Sequence, residues 1–494
     1  MQRYLLRNSM DNKYDLLING KYRPAESGEY FRVTNPATGE PVAECALANV
    51  TDTRAALQAA HDAFQNWSRT QARARCDLMH AAAAIFRQRI NNIAPLLTIE
   101  QGKPLKDSLK ELNFTADVVD YYAEEARRNF GFHFEGDGAP THSFTLRQPM
   151  GVVAAITPWN FPVDLLAWKV GPALAVGCTM VIKPPSEAPL AVSEFIRCFV
   201  DAGLPAGVLN VVTGPGHTVG AEMVTNPLSR KIAFTGATAT GLWIAQEAAK
   251  QLKPVTLELG GSAPFIAFRD AEVELAASQA LRRAFSHAGQ ICISVNRIFV
   301  QEEIADVFTT KFVEMARKLR VANGLEVPDA DLGPMISEAG RQTVREHVSD
   351  AVVKGAQILT GGHEPEGAAY AKGFFYLPTV LTNVTADMRV MREETFGPVA
   401  PITTFKTIDE GIDKANNSPY GLAAYVFTND LNLAMYAAER VQAGGVGINV
   451  NDITDIRGPF GGMKMSGIGR ELGQQGLDTY TEWKHVRVMI KKPE

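Results

Sequence analysis

From residue 151 onward, short apolar segments rich in β-branched residues alternate with segments of helical periodicity, and this alternation restricts the folds open to the chain. The pattern is typical of βαβ units, which build a doubly wound parallel sheet. Each predicted strand ends in a turn, at the edge where open parallel sheets bind ligands. The predicted strands are residues 152–156, 180–182, 208–212 and 231–234, and the predicted helices between them are 163–175, 189–202 and 217–225.

The rest of the chain is organised around this block. A second alternating block covers residues 262–450, and Gly260-Gly261-Ser262 is the predicted hinge because small residues leave the backbone free to turn. Three helical segments are predicted within residues 51–128, with Thr51 and Asp52 capping the first. Short strands are predicted at 14–22 and 30–35, and an edge strand at 481–490.

Composition excludes several classes of protein. A chain of 494 residues is expected to form two or three domains, and a net charge of −5 attracts neither nucleic acid nor an anionic membrane. The most apolar window, 165–182, contains Lys169 and two glycines, which favours a buried element over a membrane span. The first residues contain no apolar stretch typical of a secretory signal.

Cysteine usage points to a reducing compartment. Five cysteines are too few for a disulfide framework, and they form no paired C-x-x-C loops, so no metal site is expected. We therefore expect a cytoplasmic protein. The cysteines are Cys45, Cys76, Cys178, Cys198 and Cys292.

Two glycine-containing loops follow predicted strands. Gly214-Pro215-Gly216 precedes a predicted helix but lacks the G-x-G-x-x-G spacing. Phe234-Thr235-Gly236 is followed five residues later by Gly241. Backbone N–H groups in such loops bind a pyrophosphate at a helix N-terminus, but tight strand-to-helix turns give the same pattern without a ligand.

Five further motifs occur in a fixed order along nearly the whole chain. With these motifs the sequence resembles the aldehyde dehydrogenase superfamily, whose usual separation between glutamate and cysteine matches the 292 − 258 = 34 residues found here. The motif sequences are most similar to those of succinate-semialdehyde and lactaldehyde-type enzymes. The motifs are Thr157-Pro158-Trp159-Asn160-Phe161-Pro162, Leu257-Glu258-Leu259-Gly260-Gly261, Gly289-Gln290-Ile291-Cys292, Glu393-Glu394-Thr395-Phe396-Gly397-Pro398 and Pro459-Phe460-Gly461-Gly462.

The chemistry of aldehyde oxidation accounts for these residue types. A hydride leaves an aldehyde only after a nucleophile has made the carbonyl carbon tetrahedral, and a thiolate suits that task because its thioester product stays open to hydrolysis. Cys292 is the candidate nucleophile, since the residues around it do not form an apolar core pattern. The other four cysteines are expected to be inert core residues.

The resemblance implies roles for four more residues. Asn160 and the backbone N–H of Cys292 would stabilise the oxyanion, although Asn160 is also suited to capping a turn. Glu258 would be the general base that activates the hydrolytic water, the alternative being a structural carboxylate at a strand end. Lys169 and Glu471 match positions of a water and proton relay, but ordinary structural charges remain the alternative.

A dinucleotide, NAD or NADP, is the cofactor that the resemblance implies. Lys183 and Glu394 match residues that bind the two riboses, and Phe396 would lie along the nicotinamide ribose. NAD-preferring relatives commonly carry a glutamate at the position of Ser186, and its charge repels the 2′-phosphate of NADP. Ser186 should therefore tolerate or favour NADP, although the neighbouring Glu187 could reach the ribose instead. Ala237 replaces a frequent serine, so one pyrophosphate hydrogen bond is lost. The other implied cofactor positions are Thr157, Trp159, Gly216, Phe234, Gly236 and Leu259.

The substrate is a small semialdehyde or hydroxyaldehyde by resemblance. Succinate-semialdehyde enzymes usually hold the distal carboxylate with two arginines, whose places here are Trp168 and Ser286. Arg457 is predicted at the tunnel mouth, where it grips an anionic tail or pairs with Asp452 or Asp455 on the surface. Trp168, Phe161 and Phe460 are the other predicted substrate residues.

The implied fold is of the aldehyde dehydrogenase type, with a Rossmann-type cofactor domain, an α/β catalytic domain and a β-strand oligomerisation arm. The cofactor domain would cover residues 1–128 and 149–260, the catalytic domain 261–455, and the arm 129–148 and 476–494. A homodimer or homotetramer is expected, because exposed strands invite pairing. Two alternatives stay open. One is an acylating, coenzyme-A-dependent semialdehyde dehydrogenase, although the resemblance implies that such relatives lack the glutamate that matches Glu258. The other is a non-catalytic binding or structural protein on the same scaffold.

Overall fold

The computed structural model describes residues 13–136 and 140–490. Parts of the predicted cofactor domain (1–12) and of the predicted arm (137–139, 491–494) lie outside these ranges. The strands are β1 (Lys13–Tyr14), β2 (Leu16–Ile18), β3 (Lys21–Arg23), β4 (Tyr30–Thr34), β5 (Pro41–Ala46), β6 (His133–Glu135), β7 (Thr141–Pro149), β8 (Val152–Ile156), β9 (Thr179–Lys183), β10 (Leu209–Val211), β11 (Ser229–Thr235), β12 (Val255–Glu258), β13 (Ala263–Ala267), β14 (Val295–Gln301), β15 (Gln357–Thr360), β16 (Thr379–Thr382), β17 (Val399–Phe405), β18 (Ala423–Phe427), β19 (Gly445–Ile448), β20 (Gly467–Ile468) and β21 (Thr481–Met489).

The helices pack on the faces of the sheets and cover the same described ranges. They are α1 (Val50–Trp67), α2 (Ala72–Gln101), α3 (Leu105–Glu125), α4 (Asp164–Val176), α5 (Leu190–Asp201), α6 (Ala221–Thr225), α7 (Thr238–Ala249), α8 (Val273–Phe285), α9 (Glu302–Ala316), α10 (Glu338–Val353), α11 (Arg389–Arg392), α12 (Ile408–Asn416), α13 (Leu431–Arg440) and α14 (Gly473–Asp478).

The first large sheet contains the predicted βαβ block. Its strand order is β20-β12-β11-β8-β9-β10-β2-β3, and β12, β11, β8, β9 and β10 are parallel. Every residue of β8 and β9 is buried, as expected for central strands covered on both faces. The alternation in the sequence thus predicted these strands within one or two residues at each end.

A second sheet contains the later alternating block. Its order is β15-β16-β17-β14-β13-β18-β19, parallel except for β15. Residues 259–262 join the two large sheets, and a Cβ on Gly261 would lie 2.1 Å from the carbonyl oxygen of Cys292. The small residues of the predicted hinge therefore allow close approach of two segments. This mixed α/β architecture confirms the predicted fold class.

The N-terminal region departs from the prediction in two places. Residues 14–22 are not one strand, because Asn19 and Gly20 have positive φ and form a two-residue turn between β2 and β3. An Asn-Gly pair is a strong signal for a hairpin, so the sequence itself contains the signal for this turn. Helix α1 begins at Val50, and its N-cap is Asn49 rather than Thr51 or Asp52; the Asp52 carboxylate completes a capping box by accepting from the Asn49 N–H.

The last strand forms a small antiparallel sheet with β6 and β7, the two strands that come just before β8 in the chain. The order is β21-β7-β6, so one side of β21 has no strand partner within the described chain. Phe132 stacks on Trp483 at 5.6 Å, and both side chains are more than half exposed. Within the described residues, no helix is long and apolar enough to cross a membrane.

Candidate active site

A turn of three left-handed residues carries the candidate nucleophile into a cavity. His287, Ala288 and Gly289 have φ values of 53°, 55° and 71°, a run that costs free energy at the two residues other than glycine. The Gln290 side chain secures the turn by donating to the carbonyl of His287 at 3.1 Å. Cys292 follows and is only partly buried, whereas the other four cysteines are buried.

The electrostatic surroundings of Cys292 hold it as a neutral thiol. Burial raises the pKa of this thiol to about 12, and the carboxylates of Glu394 and Glu258 add to the shift. A thiolate is the reactive form, so the free protein needs a base to receive the proton.

Asn160 lies next to the cysteine loop. Its Nδ2 donates to the carbonyl of Gln290 at 3.1 Å, and its Oδ1 is buried without a partner among the described residues. An amide nitrogen carries two protons, so the second remains available to an oxyanion. The Lys103 ammonium donates to the Asn160 carbonyl at 2.6 Å and to Glu111 at 2.5 Å, which fixes the backbone of this turn.

Glu258 is the last residue of β12. Both carboxylate oxygens are buried and have no hydrogen-bond partner within the described residues. Burial raises the pKa of Glu258 well above its usual range; Glu471 adds to the rise, and Lys169 opposes it. A carboxylate with this affinity for a proton is suited to the work of a general base.

Lys169 and Glu471 form a buried ion pair beside Glu258. The Lys169 ammonium donates to Glu471 at 2.8 Å, to Thr235 at 2.7 Å and to the carbonyl of Leu165 at 3.3 Å, which uses its three protons. One oxygen of Glu471 remains without a partner in the part of the chain described. The structure therefore places these two residues in contact with each other and electrostatically coupled to the candidate base.

The predicted cofactor residues follow the carboxyl ends of the parallel strands. Because β10, β9, β8, β11 and β12 are neighbours, the turns after them lie along one edge of the sheet. Thr157 and Trp159 follow β8, Lys183 ends β9 and Ser186 follows it, Gly216 follows β10, Phe234 lies in β11 with Gly236 and Ala237 after it, and Leu259 follows β12.

Two features of this edge fit a bound dinucleotide. The Thr157 hydroxyl is buried without a partner among the described residues, and a Cβ on Gly236 would lie 2.6 Å from the Phe234 ring. The Lys183 ammonium is buried, and burial lowers its pKa, although the charge of Glu187 opposes the shift. Buried polar groups that are open toward one edge favour a polar ligand there.

Glu394 and Phe396 reach the same edge from the second sheet. The Glu394 carboxylate accepts from the Gly261 N–H at 2.8 Å, and burial raises its pKa to about 7. Phe396 has a φ of 48° and meets Trp159 edge to face at 5.5 Å. The two halves of the predicted cofactor site thus come together between the sheets.

Cys292 opens into a cavity of about 460 Å³. Aromatic rings form much of its wall: Trp168 meets Phe460 edge to face at 5.0 Å, and the Lys103 ammonium lies 4.0 Å from the centre of the Phe161 ring. Asp164 accepts from the Trp168 indole at 3.0 Å. Three of the four predicted substrate residues therefore line the cavity.

Arg457 does not line this cavity, which corrects the prediction that it contacts the substrate. Its exposed guanidinium binds Asp455 at 2.8 Å, which is the surface pairing expected as the alternative. Local chain geometry favours this pair, because the Arg457 N–H also donates to the Asp455 carboxylate.

Two arginines that were not among the predicted substrate residues line the cavity, Arg282 and Arg283. The Arg283 guanidinium binds Asp452 at 2.8 Å and is mostly buried. Arg282 is exposed at the mouth and forms no ion pair within the described residues. A basic pair ten and nine residues before the candidate nucleophile was the available signal.

A wider cavity, of about 920 Å³, lies beside β14 and away from Cys292. Its Arg297 guanidinium donates to the carbonyls of Ser262, Lys414, Ala415 and Asn417. These bonds satisfy the N–H groups of the guanidinium within the protein. We therefore place the reaction in the smaller cavity, which contains Cys292.

Known proteins resemble this chain in sequence and fold over nearly its whole length. The aldehyde dehydrogenase family model matches residues 22–486. A 3-sulfolactaldehyde dehydrogenase of Pseudomonas putida is 42% identical over 96% of both chains, and an NADP(+) succinate-semialdehyde dehydrogenase of Escherichia coli is 41% identical over 95% of this chain and 96% of its own.

Solved structures have the same fold as this chain. An NADP-dependent enzyme of E. coli superposes with a TM-score of 0.94 at 40% identity, covering 97% of this chain and 98% of its own. A betaine aldehyde dehydrogenase of Staphylococcus aureus in complex with NAD+ gives 0.95 at 34% identity, covering 97% and 95%. This chain belongs to the aldehyde dehydrogenase family and is an NAD(P)-dependent enzyme that oxidises aldehydes.

Proposed function

We propose that the chain oxidises a small aldehyde with an anionic tail to the carboxylic acid, through a thiohemiacetal and a thioester on Cys292. The observation that carries this proposal is the cavity itself, which joins the Cys292 thiol and Asn160 to Arg282 and Arg283. Three relatives support it, being named for succinate semialdehyde, glutarate semialdehyde and 3-sulfolactaldehyde, each of which has a distal anion.

The first step forms the bond between Cys292 Sγ and the carbonyl carbon. The thiol proton leaves for a base, which we assign to Glu258 because its carboxylate is buried and has a raised pKa. The oxyanion accepts from the free Nδ2 proton of Asn160 and from the Cys292 N–H. Losing one such donor typically costs about 10²–10³ in rate.

When bound, NAD or NADP supplies the hydride acceptor that converts the thiohemiacetal to the thioester. Thr157, Lys183, Gly236 and Glu394 would hold it along the sheet edge, where their buried polar atoms and the close backbone approach fit a dinucleotide. Ser186 supports the use of NADP, since it brings no negative charge to the place where a 2′-phosphate would bind.

Hydrolysis then releases the acid. Glu258 takes a proton from water as the water oxygen bonds to the thioester carbon, and the bond between carbon and sulfur breaks as Cys292 regains a proton. The Lys169–Glu471 pair supports proton transfer away from Glu258, because Glu471 has an oxygen without a partner in the described chain. The presence of Glu258 argues against the acylating alternative, in which a thiol releases the acyl group.

Arg282 and Arg283 replace Arg457 as the candidates for the substrate tail. Arg283 is already paired with Asp452. Arg282 forms no ion pair within the described residues, although Asp107 is a charged neighbour in the same cavity, so we take Arg282 as the first candidate for the anion. Hydrogen bonds from guanidinium to an anion are the strong, charge-assisted kind.

The division into cofactor domain, catalytic domain and arm at the boundaries given above remains our proposal, as does a dimer or tetramer joined through the arm. We also assign the chain to the cytoplasm. All five cysteines are free thiols, which supports a reducing compartment.

An aldehyde panel with both cofactors tests the substrate assignment. Succinate semialdehyde should outperform butanal, and Arg282→Gln should raise KM for the anionic aldehyde roughly ten- to hundredfold, as expected from losing a hydrogen bond to a charged group. The surface variant Arg457→Gln is the matched control and should leave both constants unchanged.

Either of two results would overturn the anionic tail. One is a preference for butanal over succinate semialdehyde. The other is an Arg282→Gln variant that affects both aldehydes equally. Oxidation of neutral aldehydes alone would favour an apolar tunnel formed by Trp168, Phe161 and Phe460.

A further inference from the structure

A cysteine, a histidine and a carboxylate meet between the two long helices α2 and α3. Cys76 and His80 are four residues apart on α2, so they share one face, and Glu124 lies opposite on α3. One ligand atom from each lies within 4.8 Å of those from the other two. Cys76 is buried, while His80 and Glu124 reach solvent.

The His80 ring lies between two carboxylates. Nδ1 is 2.6 Å from Asp120, and Nε2 is 2.8 Å from Glu124. A neutral imidazole has one N–H, so it satisfies one of these carboxylates and directs a lone pair at the other. Either a second proton or a cation must balance the site.

The Asp120 carboxylate is fixed in position for its contact with His80 Nδ1. Its other oxygen accepts from Arg87, which fixes the carboxylate beside Nδ1. A carboxylate that accepts from Nδ1–H of a histidine and thereby directs Nε2 at an ion is a recurrent feature around zinc. Nε2 then faces Glu124.

We propose that Cys76, His80 and Glu124 bind a zinc-class divalent cation that links α2 to α3, with water in the fourth position. Sulfur, imidazole and carboxylate are all zinc ligands, and bonds of about 2.0–2.3 Å require the three atoms to move closer together. The exposed His80 and Glu124 side chains have room for that movement. The Cys76 thiol releases its proton to solvent on binding, and so does His80 if it is protonated.

Protons compete for the same site. Partial burial disfavours the charged form of His80, but Asp120 and Glu124 outweigh this and raise its pKa. Burial also raises the pKa of Cys76, with Glu124 and Asp77 adding to the rise and Arg127 and Arg73 opposing it.

The test uses the full-length protein in a Cys292→Ala background, which removes the accessible active-site thiol as a competing zinc ligand. After treatment with a chelator, zinc and cobalt are each titrated at pH 8 and followed by calorimetry and by absorption. We expect one ion per chain, with the thiolate-to-cobalt absorption band that a cysteine ligand produces.

Cys76→Ser should remove that band and weaken zinc binding at least tenfold, and His80→Gln should weaken it similarly. Cys198→Ser is the control for loss of a buried thiol and should bind normally. Glu124→Gln tests the site without altering a buried residue. No stoichiometric binding, or binding unchanged in Cys76→Ser and Glu124→Gln, would overturn the proposal; the site would then be a protonated His80 between two carboxylates.

Discussion

Cys292 combines a reactive position with an unreactive protonation state. The loop presents its side chain to the cavity, yet burial and two carboxylates raise the pKa of the thiol to about 12. The free enzyme therefore keeps the thiol neutral at physiological pH, and activation waits for a base and a bound substrate. This protects the nucleophile from reagents that attack thiolates.

Alkylation measures this state directly. In the cofactor-free protein, the rate of Cys292 alkylation by iodoacetamide should rise about tenfold per pH unit between about pH 7 and 9, since only the thiolate reacts and its fraction grows in that proportion below the pKa. The measurement is mass-spectrometric labelling against time, with Cys292→Ala to show that the buried cysteines do not contribute. A rate that levels off below about pH 8 would contradict the raised pKa.

Candidate catalytic residues were the easiest to identify from the sequence. Cys292, Glu258 and Asn160 stand in motifs, and their chemistry explains why those residue types occur there. Arg283 and Lys103 could not be predicted in the same way. Their partners, Asp452 and the Asn160 carbonyl, are brought to them by the fold from distant parts of the chain.

At the scale of elements, one buried ion pair positions the oxyanion turn. Lys103 joins Glu111 of α3 to the Asn160 carbonyl, and the other oxygen of Glu111 accepts from the N–H groups of Val163 and Asp164 at the start of α4. Both charged side chains are fully buried.

Removing one member of the pair should be costly. Lys103→Met should lower the free energy of unfolding by about 3–5 kcal/mol, because it leaves the Glu111 carboxylate buried and unpaired. Lys103→Met with Glu111→Leu should recover much of the loss, and the exposed Lys106→Met is the control. Urea unfolding followed by tryptophan fluorescence checks this. Equal stability of the Lys103 and Lys106 variants would contradict the role of the pair.

We expect the turn after β9, which contains Ser186, to determine which dinucleotide the enzyme prefers. Ser186→Glu should raise KM for NADP far more than KM for NAD, because a carboxylate repels a 2′-phosphate and a hydroxyl donor is lost. Steady-state kinetics with each cofactor measures both constants. If they change together, residue 186 does not face the ribose, and Glu187 becomes the residue to test.

Over the whole molecule, the sequence predicted the two parallel sheets but not how the ends of the chain join them. Strands with continuous apolar runs were recognisable, because burial on both faces leaves that pattern. β20 has only two residues and adds to the first sheet beside β12, which no local pattern signals. That addition brings the segment of Glu471 to Glu258, so part of the candidate site was visible only by resemblance.

The small sheet of β21, β7 and β6 is the candidate contact between subunits. β21 has one unpaired side in the described chain, and Trp483 is half exposed on it. Removal of residues 481–494 should convert the oligomer to monomers, and Trp483→Glu should weaken association, because both remove apolar or strand-pairing surface. Sedimentation velocity measures the outcome. A full-length chain that is monomeric, or a truncated one that stays oligomeric, would contradict the assignment.

Covalent catalysis by Cys292, with Glu258 as the base that releases the acid, is the central claim. Its most direct measurement is rapid mixing of Glu258→Gln with aldehyde and cofactor, followed by acid quenching and peptide mass spectrometry. Loss of Glu258 should slow release of the acyl group more than its formation, because the thiol can also lose its proton to water. We therefore predict a burst of reduced cofactor, a steady rate about 10²–10⁴ lower than that of the wild type, and an acyl group on the Cys292 peptide. A steady rate equal to wild type with no acyl group on Cys292 would contradict the claim.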